Sequence, residues 1–271
     1  MLRNPQGTLG LGILLALVLV AIAAPLLAPY DPLVQNPGKE MAPPSGAFLL
    51  GTDNLGRDLL SRIIFGSRAS LLVGVLAVAL GATVGIGSGL LAGFLGGWLD
   101  AVLMRAYDAL LAFPAILLGI GVVAVLGPGI LNVALAIALA QMPDFARLTR
   151  ALVIGERRRE YVEAARNLGA GSGRIMVRHV LPNTVAPLLV QVSLAMGFAI
   201  LAEAALSFLG LGTQPPTPSW GGMLNDSRQY LRQAPWYGVW PGVALASLLI
   251  GLNFLSDALR DALDPRRVGL R

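Results

Sequence analysis

With 271 residues, 55% of them hydrophobic and only 13% charged, and a mean hydropathy of +0.71, the chain is far too apolar for a water-soluble fold, where roughly 25% of residues are charged. The absence of Cys excludes disulfides and thiolate metal sites. A net charge of +5 and a pI near 10.2 fit basic loops retained on one side of a membrane better than nucleic-acid binding.

No Asp, Glu, Lys or Arg occurs in 4–30, 69–99, 109–143, 204–225 or 233–256. Each run is long enough for the roughly 20 helical residues that a bilayer core requires. Lipid leaves helices as the only open-chain structure with every backbone group satisfied. The fold class is therefore an all-α membrane protein.

The first span is 9–28, an uncleaved helix, because no small-x-small cleavage site follows it. An extracytoplasmic segment, 29–69, contains Leu55, Leu59, Leu60, Ile63 and Ile64 at helical spacing, opposite Arg57, Asp58, Ser61 and Arg62. That pattern predicts a short amphipathic helix lying along the membrane surface. Span two, 70–95, is dense in Gly, which lets helices approach closely in lipid. The next apolar run is too long for one helix and breaks at Leu126-Gly-Pro-Gly129, giving span three at 103–126 and span four at 130–150. A charged loop, 156–182, leads to span five at 184–209. A loop at 210–238, span six at 239–256 and a tail at 257–271 complete the chain.

Between Arg147 and Arg178 lie eight Arg and three Glu, and the tail adds more Arg. Positive loops stay in the cytoplasm, so this loop and both termini are expected inside. Trp220, Trp236, Trp240, Tyr230 and Tyr237 are then expected at the outer face as an interfacial aromatic belt.

The loop reads Glu160-Tyr-Val-Glu163-Ala164-Ala165-Arg-Asn-Leu-Gly169 and continues to His179-Val-Leu181-Pro182. Residues 156–167 predict a helix with the small side chains of Ala164 and Ala165 available for close packing into another protein's groove. Gly169, Gly171 and Gly173 are expected to end it through positive φ, and a short second helix is expected to stop near Pro182. The spacing resembles the EAA loop of ABC importer permeases: Glu-Ala-Ala, three residues, Gly, then Leu-Pro, with His179 where an aliphatic residue is usual. Leu50-Gly-Thr-Asp-Asn-Leu-Gly-Arg-Asp58, Leu206-Ser-Phe-Leu-Gly-Leu-Gly212, the outer loop with Gln214, Pro215, Pro216 and Trp220, and Asp261-Ala-Leu-Asp-Pro265 extend the resemblance. Together they are similar to the C-type permease of dipeptide, oligopeptide and nickel importers.

The resemblance implies an ATPase-coupling role for Glu163, Ala164, Ala165, Gly169, His179, Leu181 and Pro182. It implies a homologous second permease, two cytoplasmic ATPases carrying ATP and Mg2+, an extracytoplasmic binding protein, and a bacterial or archaeal inner membrane. The chain has no phosphate loop of its own, so no catalytic residue, metal or cofactor is assigned to it. Peptides are the favoured cargo over nickel chelates, glutathione-like peptides or sugars. An ion-coupled secondary transporter would place several ionisable groups mid-membrane, whereas Glu203 is the one acid expected deep in a span. Glu203 is either a pore or gate residue or a structural carboxylate paired with Arg62 or Arg68.

Overall fold

The computed structural model describes residues 5–263, and the described residues form helices joined by loops, with a single isolated bridge between Thr52 and Asp58. In chain order the helices are α1 (Pro5–Ile22), α2 (Ala24–Leu27), α3 (Leu59–Leu95), α4 (Gly97–Leu111), α5 (Ala115–Leu126), α6 (Ile130–Glu156), α7 (Glu160–Asn167) and α8 (Ser172–Ile175). A π-helical turn (Met176–Val180) precedes α9 (Leu181–Phe208), α10 (Trp220–Ser227) and α11 (Pro235–Leu263). Five helices are long and apolar enough to cross a membrane, and six spans result when α4 and α5 count as one bent span.

Three expectations change. The amphipathic helix is not separate: α3 runs unbroken for 37 residues from Leu59, about 55 Å at about 1.5 Å per residue. Asp58 caps it, accepting from the Ser61 amide at 2.8 Å and the Ser61 hydroxyl at 2.7 Å. Both faces of this segment are covered: Leu59 and Ile64 are buried on the apolar side, and on the polar side Asp53 accepts the Arg57 side chain at 2.6 Å and lies 3.3 Å from the equally buried Arg62. Paired charges can be buried where lone ones cannot.

Span three bends by 91° between α4 and α5. Pro114 lacks an N–H and disfavours the helical conformation at Phe113, so the ladder stops at Leu111 and restarts at Ala115. The aromatic belt is also revised, since Trp220 and Tyr237 are fully buried rather than facing lipid. Trp220 donates to the carbonyl of Ile63 at 3.0 Å.

The centre of the fold is the crossing of α3 and α6. Gly85, Gly89 and Gly93 lie one turn apart on α3, and a Cβ at Gly85 would sit 2.7 Å from the carbonyl oxygen of Met142, one at Gly93 2.8 Å from that of Arg150. Only bare backbone fits there, the arrangement by which small residues bring helices together in lipid. Val73, Ala77, Ile137, Phe145, Ala199 and Leu206 close the adjoining core. Beyond α11, the rest of the tail motif starting at Asp261 lies outside the described residues.

Candidate coupling site and the far-end loops

The charged loop folds onto its own chain before it offers anything outward. Arg157 donates to the carbonyls of Gly93 and Phe94 at 3.0 and 3.2 Å, satisfying the free carbonyl end of α3 with a cation. Arg150 grips Asp100 with two bonds at 2.5 and 2.6 Å, a fork geometry that fixes α4 against α6. Next comes α7, with Glu160 and Glu163 in its first turn and Arg166 in its last, the charge order its dipole favours. Val162 and Ala165 are buried against Leu90, Phe94, Val153, Ile175 and Val180.

The end of α7 is a Schellman turn. The Gly169 amide donates to the Arg166 carbonyl at 3.0 Å and the Ala170 amide to the Ala165 carbonyl at 3.1 Å, with Gly169 at φ +84°. Of the three glycines expected to turn through positive φ, only Gly169 does; Gly171 is extended at φ −66° and Gly173 is helical. The two alanines point apart, Ala165 into the chain and Ala164 outward with Glu163. Leu168 is 89% exposed beside them.

Nor does the second helix stop at Pro182. Proline lacks the N–H that would bond four residues back and crowds that carbonyl, and the ladder accommodates it by widening: the Leu181 amide donates to the Met176 carbonyl, five residues back. Ser172 to Phe208 is thereby one continuous helical path. Leu181 and His179 are half-buried, Pro182 is exposed, and His179 Nδ1 makes no hydrogen bond.

At the other end of the molecule, Glu203 is completely buried and accepts from Ser70 Oγ at 3.0 Å and Ser207 Oγ at 2.7 Å. Neither arginine expected beside it is there: Arg62 donates to the Pro32 carbonyl, and Arg68 to the carbonyls of Ala21 and Ile22. Glu203 thus ties α3 to α9 inside this chain. Gln214 donates to the carbonyls of Gly210 and Gly212 at 3.1 and 3.0 Å, folding its loop back before the exposed Pro215-Pro216 pair. Gln214 and Pro215 border a cleft of about 400 Å3 together with Arg57, Arg62 and Asp226. Partial burial raises the Asp226 pKa above the usual carboxylate range, opposed by the charges of Arg62 and Arg57.

A family described as "Binding-protein-dependent transport system inner membrane component" matches residues 85–269, and the N-terminal transmembrane domain of oligopeptide transport permease C matches 1–44. The chain belongs to this family. Among permease relatives, the dipeptide transport system permease protein DppC of Alkalihalophilus pseudofirmus is 46% identical over 97% of this chain and 87% of its own. The di/tripeptide counterpart of Pseudomonas aeruginosa is 48% identical over 95% and 87%, and DppC of Escherichia coli 46% over 97% and 90%. The inward-facing MetNI methionine ABC transporter aligns over 76% of this chain and 98% of its own with a TM-score of 0.61 at 17% identity, a likeness of fold.

Within this permease, the sequence reading passed over the residues that lock the loop in place. The Tyr161 hydroxyl donates to Glu156 Oε2 at 2.6 Å and accepts from Asn183 Nδ2 at 3.2 Å, and the same Asn183 amide donates to the His179 carbonyl at 2.6 Å. That chain joins the end of α6, the start of α7 and the start of α9. Desolvation, then the bond to the Glu156 carboxylate, raises the Tyr161 pKa and keeps the phenol protonated. An aromatic hydroxyl inside an otherwise charged loop was the available signal.

Proposed function

We propose that this chain is the C-type permease of an ATP-driven importer of di- and oligopeptides, forming half of the pore with a homologous second permease. Its relatives carry dipeptide and di/tripeptide names, which supports the peptide cargo. The charged loop faces the cytoplasm, where the exposed face of α7 with Glu163, Ala164 and Leu168 meets a nucleotide-binding ATPase; two such subunits supply ATP and Mg2+. The α10 end, with Gln214 and the paired prolines, faces outward toward a substrate-binding protein, and both termini lie inside a bacterial or archaeal inner membrane.

One observation carries the coupling role. The loop anchors Val162 and Ala165 on its own chain, leaves Ala164 and Leu168 without apolar cover, and continues from Ser172 into a spanning helix without a break. Motion imposed on α7 is thereby passed along a stiff rod. His179, Leu181 and Pro182 hold the join, and Gly169 sets the turn. Glu203 serves as an internal brace between α3 and α9.

The test is reconstitution in vesicles with the second permease, both ATPases and the binding protein. The assembled complex takes up labelled Ala-Ala at the expense of ATP, and the purified chain alone binds no nucleotide. ATP hydrolysis by the isolated polypeptide, or no uptake of any short peptide by the full complex, overturns the reading.

A further inference from the structure

Asp144 is a carboxylate inside the expected span four, 130–150, to which the sequence assigns no role. The structure puts it in the interior of α6, about 21 Å along from Ile130 and about 18 Å from Glu156 at about 1.5 Å per residue. An acid at such depth is costly unless it faces protein or water, and its position then marks a pathway or a partner. Its neighbours on α6 are already engaged, Arg147 with Asp108 at 2.5 Å and Arg150 with Asp100. Among the described residues Asp144 makes no hydrogen bond or ion pair, and it is exposed.

What it faces is a cleft of about 430 Å3 between α6, α9 and the α4–α5 bend, in which Asp144 is the one ionisable side chain on the wall. That volume lies in the range of small-molecule sites. Two amides share the wall, Gln141 and Gln191, and the rest is apolar, with Phe113, Leu194 and Phe198. Gln141 is only 3% exposed; its Nε2 donates to the Ala195 carbonyl at 2.9 Å, which fixes the amide and leaves Oε1 buried without a donor. Buried oxygens without partners are rare, and this one, closed off from the cleft in the present rotamer, reaches an occupant when the Gln141 side chain turns toward it.

We infer that Asp144, Gln141 and Gln191 form a binding site for a protonated primary amine, the α-ammonium of a peptide in transit; this rests on the peptide-permease reading. An ammonium brings a positive charge and three N–H donors, which match one carboxylate and amide oxygens, while the apolar wall takes the adjoining side chain. A hard divalent metal wants six or more oxygens or close to it, more than this wall offers. A carboxylate terminus would be repelled, so the cleft distinguishes the two ends of a peptide.

The test uses the complete transporter in vesicles with Asp144→Asn and Asp144→Glu. Loss of a charge-assisted bond lowers Ala-Ala uptake by Asp144→Asn roughly tenfold, with ATP hydrolysis and co-purification of the second permease retained, while Asp144→Glu keeps most of the uptake. Parental uptake by Asp144→Asn, equal loss in both variants, or loss of the second permease from Asp144→Asn overturns the site; the last would mean that Asp144 pairs with a cation of that subunit. A second measurement needs no transport. Alkylation of Leu194→Cys on the cleft wall is slowed by butylammonium and not by butanol, and responds to neither once Asp144→Asn is added. Equal protection by both probes, or by neither, overturns the amine site, whereas failure of the parent complex to take up peptide overturns the peptide reading alone.

Discussion

Replacing Gly169 isolates the turn that aims α7. A Cβ there would meet nothing within 4 Å, so the whole penalty arises from the backbone at φ +84°. Holding an L-residue in that region costs about 1–2 kcal/mol, and more for a β-branched side chain. The anchor opposing it consists of two turn hydrogen bonds, the Tyr161 bonds to Glu156 and Asn183, and the buried side chains of Val162 and Ala165, where full burial of a Val contributes about 1.5–3 kcal/mol. The strain removes a substantial part of this anchor, and Gly169→Val raises the undocked population of α7 roughly tenfold or more. Asn tolerates left-handed geometry, so the expected order of damage is Val, then Ala, then Asn. The assay is ATPase co-purification and peptide uptake for each variant, with amide exchange at Ala170 as the local reporter; about 1.4 kcal/mol corresponds to tenfold faster exchange. A Val variant with parental ATPase binding, uptake and exchange would refute the reasoning. Asn as harmful as Val would refute it differently, by showing that the ATPase rejects any side chain at this point.

Two more predictions address topology and packing. Cys at Gly171 is labelled only from the cytoplasmic side and Cys at Thr217 only from outside; labelling of both from one face removes the proposed orientation. Gly89→Leu drives a side chain into the Ala146 carbonyl and lowers the unfolding temperature in detergent by an amount matching about 1–3 kcal/mol or more, whereas Gly87→Leu, with nothing within 4 Å, leaves it unchanged. Equal melting of the two variants would contradict the close α3–α6 crossing.

The spans were legible because a bilayer imposes a length and a polarity that charge-free runs report directly. The positive φ at Gly169 was legible for a similar reason, since a helix end followed by Gly has few alternatives. Periodicity, by contrast, divides a helix into two faces without saying which one is covered. Around Asp53, Arg57 and Arg62 the polar face is covered as well as the apolar one, because its charges neutralise each other. The partners of Glu203 were not legible, as Ser70 lies 133 positions away and a serine hydroxyl carries no sequence signal of its own. Pro114 was legible and overlooked: a proline in the middle of an apolar run is a break before it is part of a span. Asp144 fell inside the expected span four, but its surroundings were not legible, because the cleft it borders is assembled from α4, α5 and α9 as well as α6.

The contact between α1 and α11 has a consequence for biosynthesis. Gly10 abuts Phe254 and Leu255, and Gly251 abuts Ile13, so the earliest described helix finds its main neighbour in the latest. Some 210 residues separate Ile22 from Pro235, which at about 5–20 residues per second leaves α1 without this partner for roughly 10–40 s of translation. Its earlier neighbour is α3, from which Arg68 reaches the carbonyls of Ala21 and Ile22. A helix in that position must be stable in lipid without its main neighbour, and α1, with no charged side chain between Pro5 and Ile22, meets that demand before the ribosome has made the helix that will cover it.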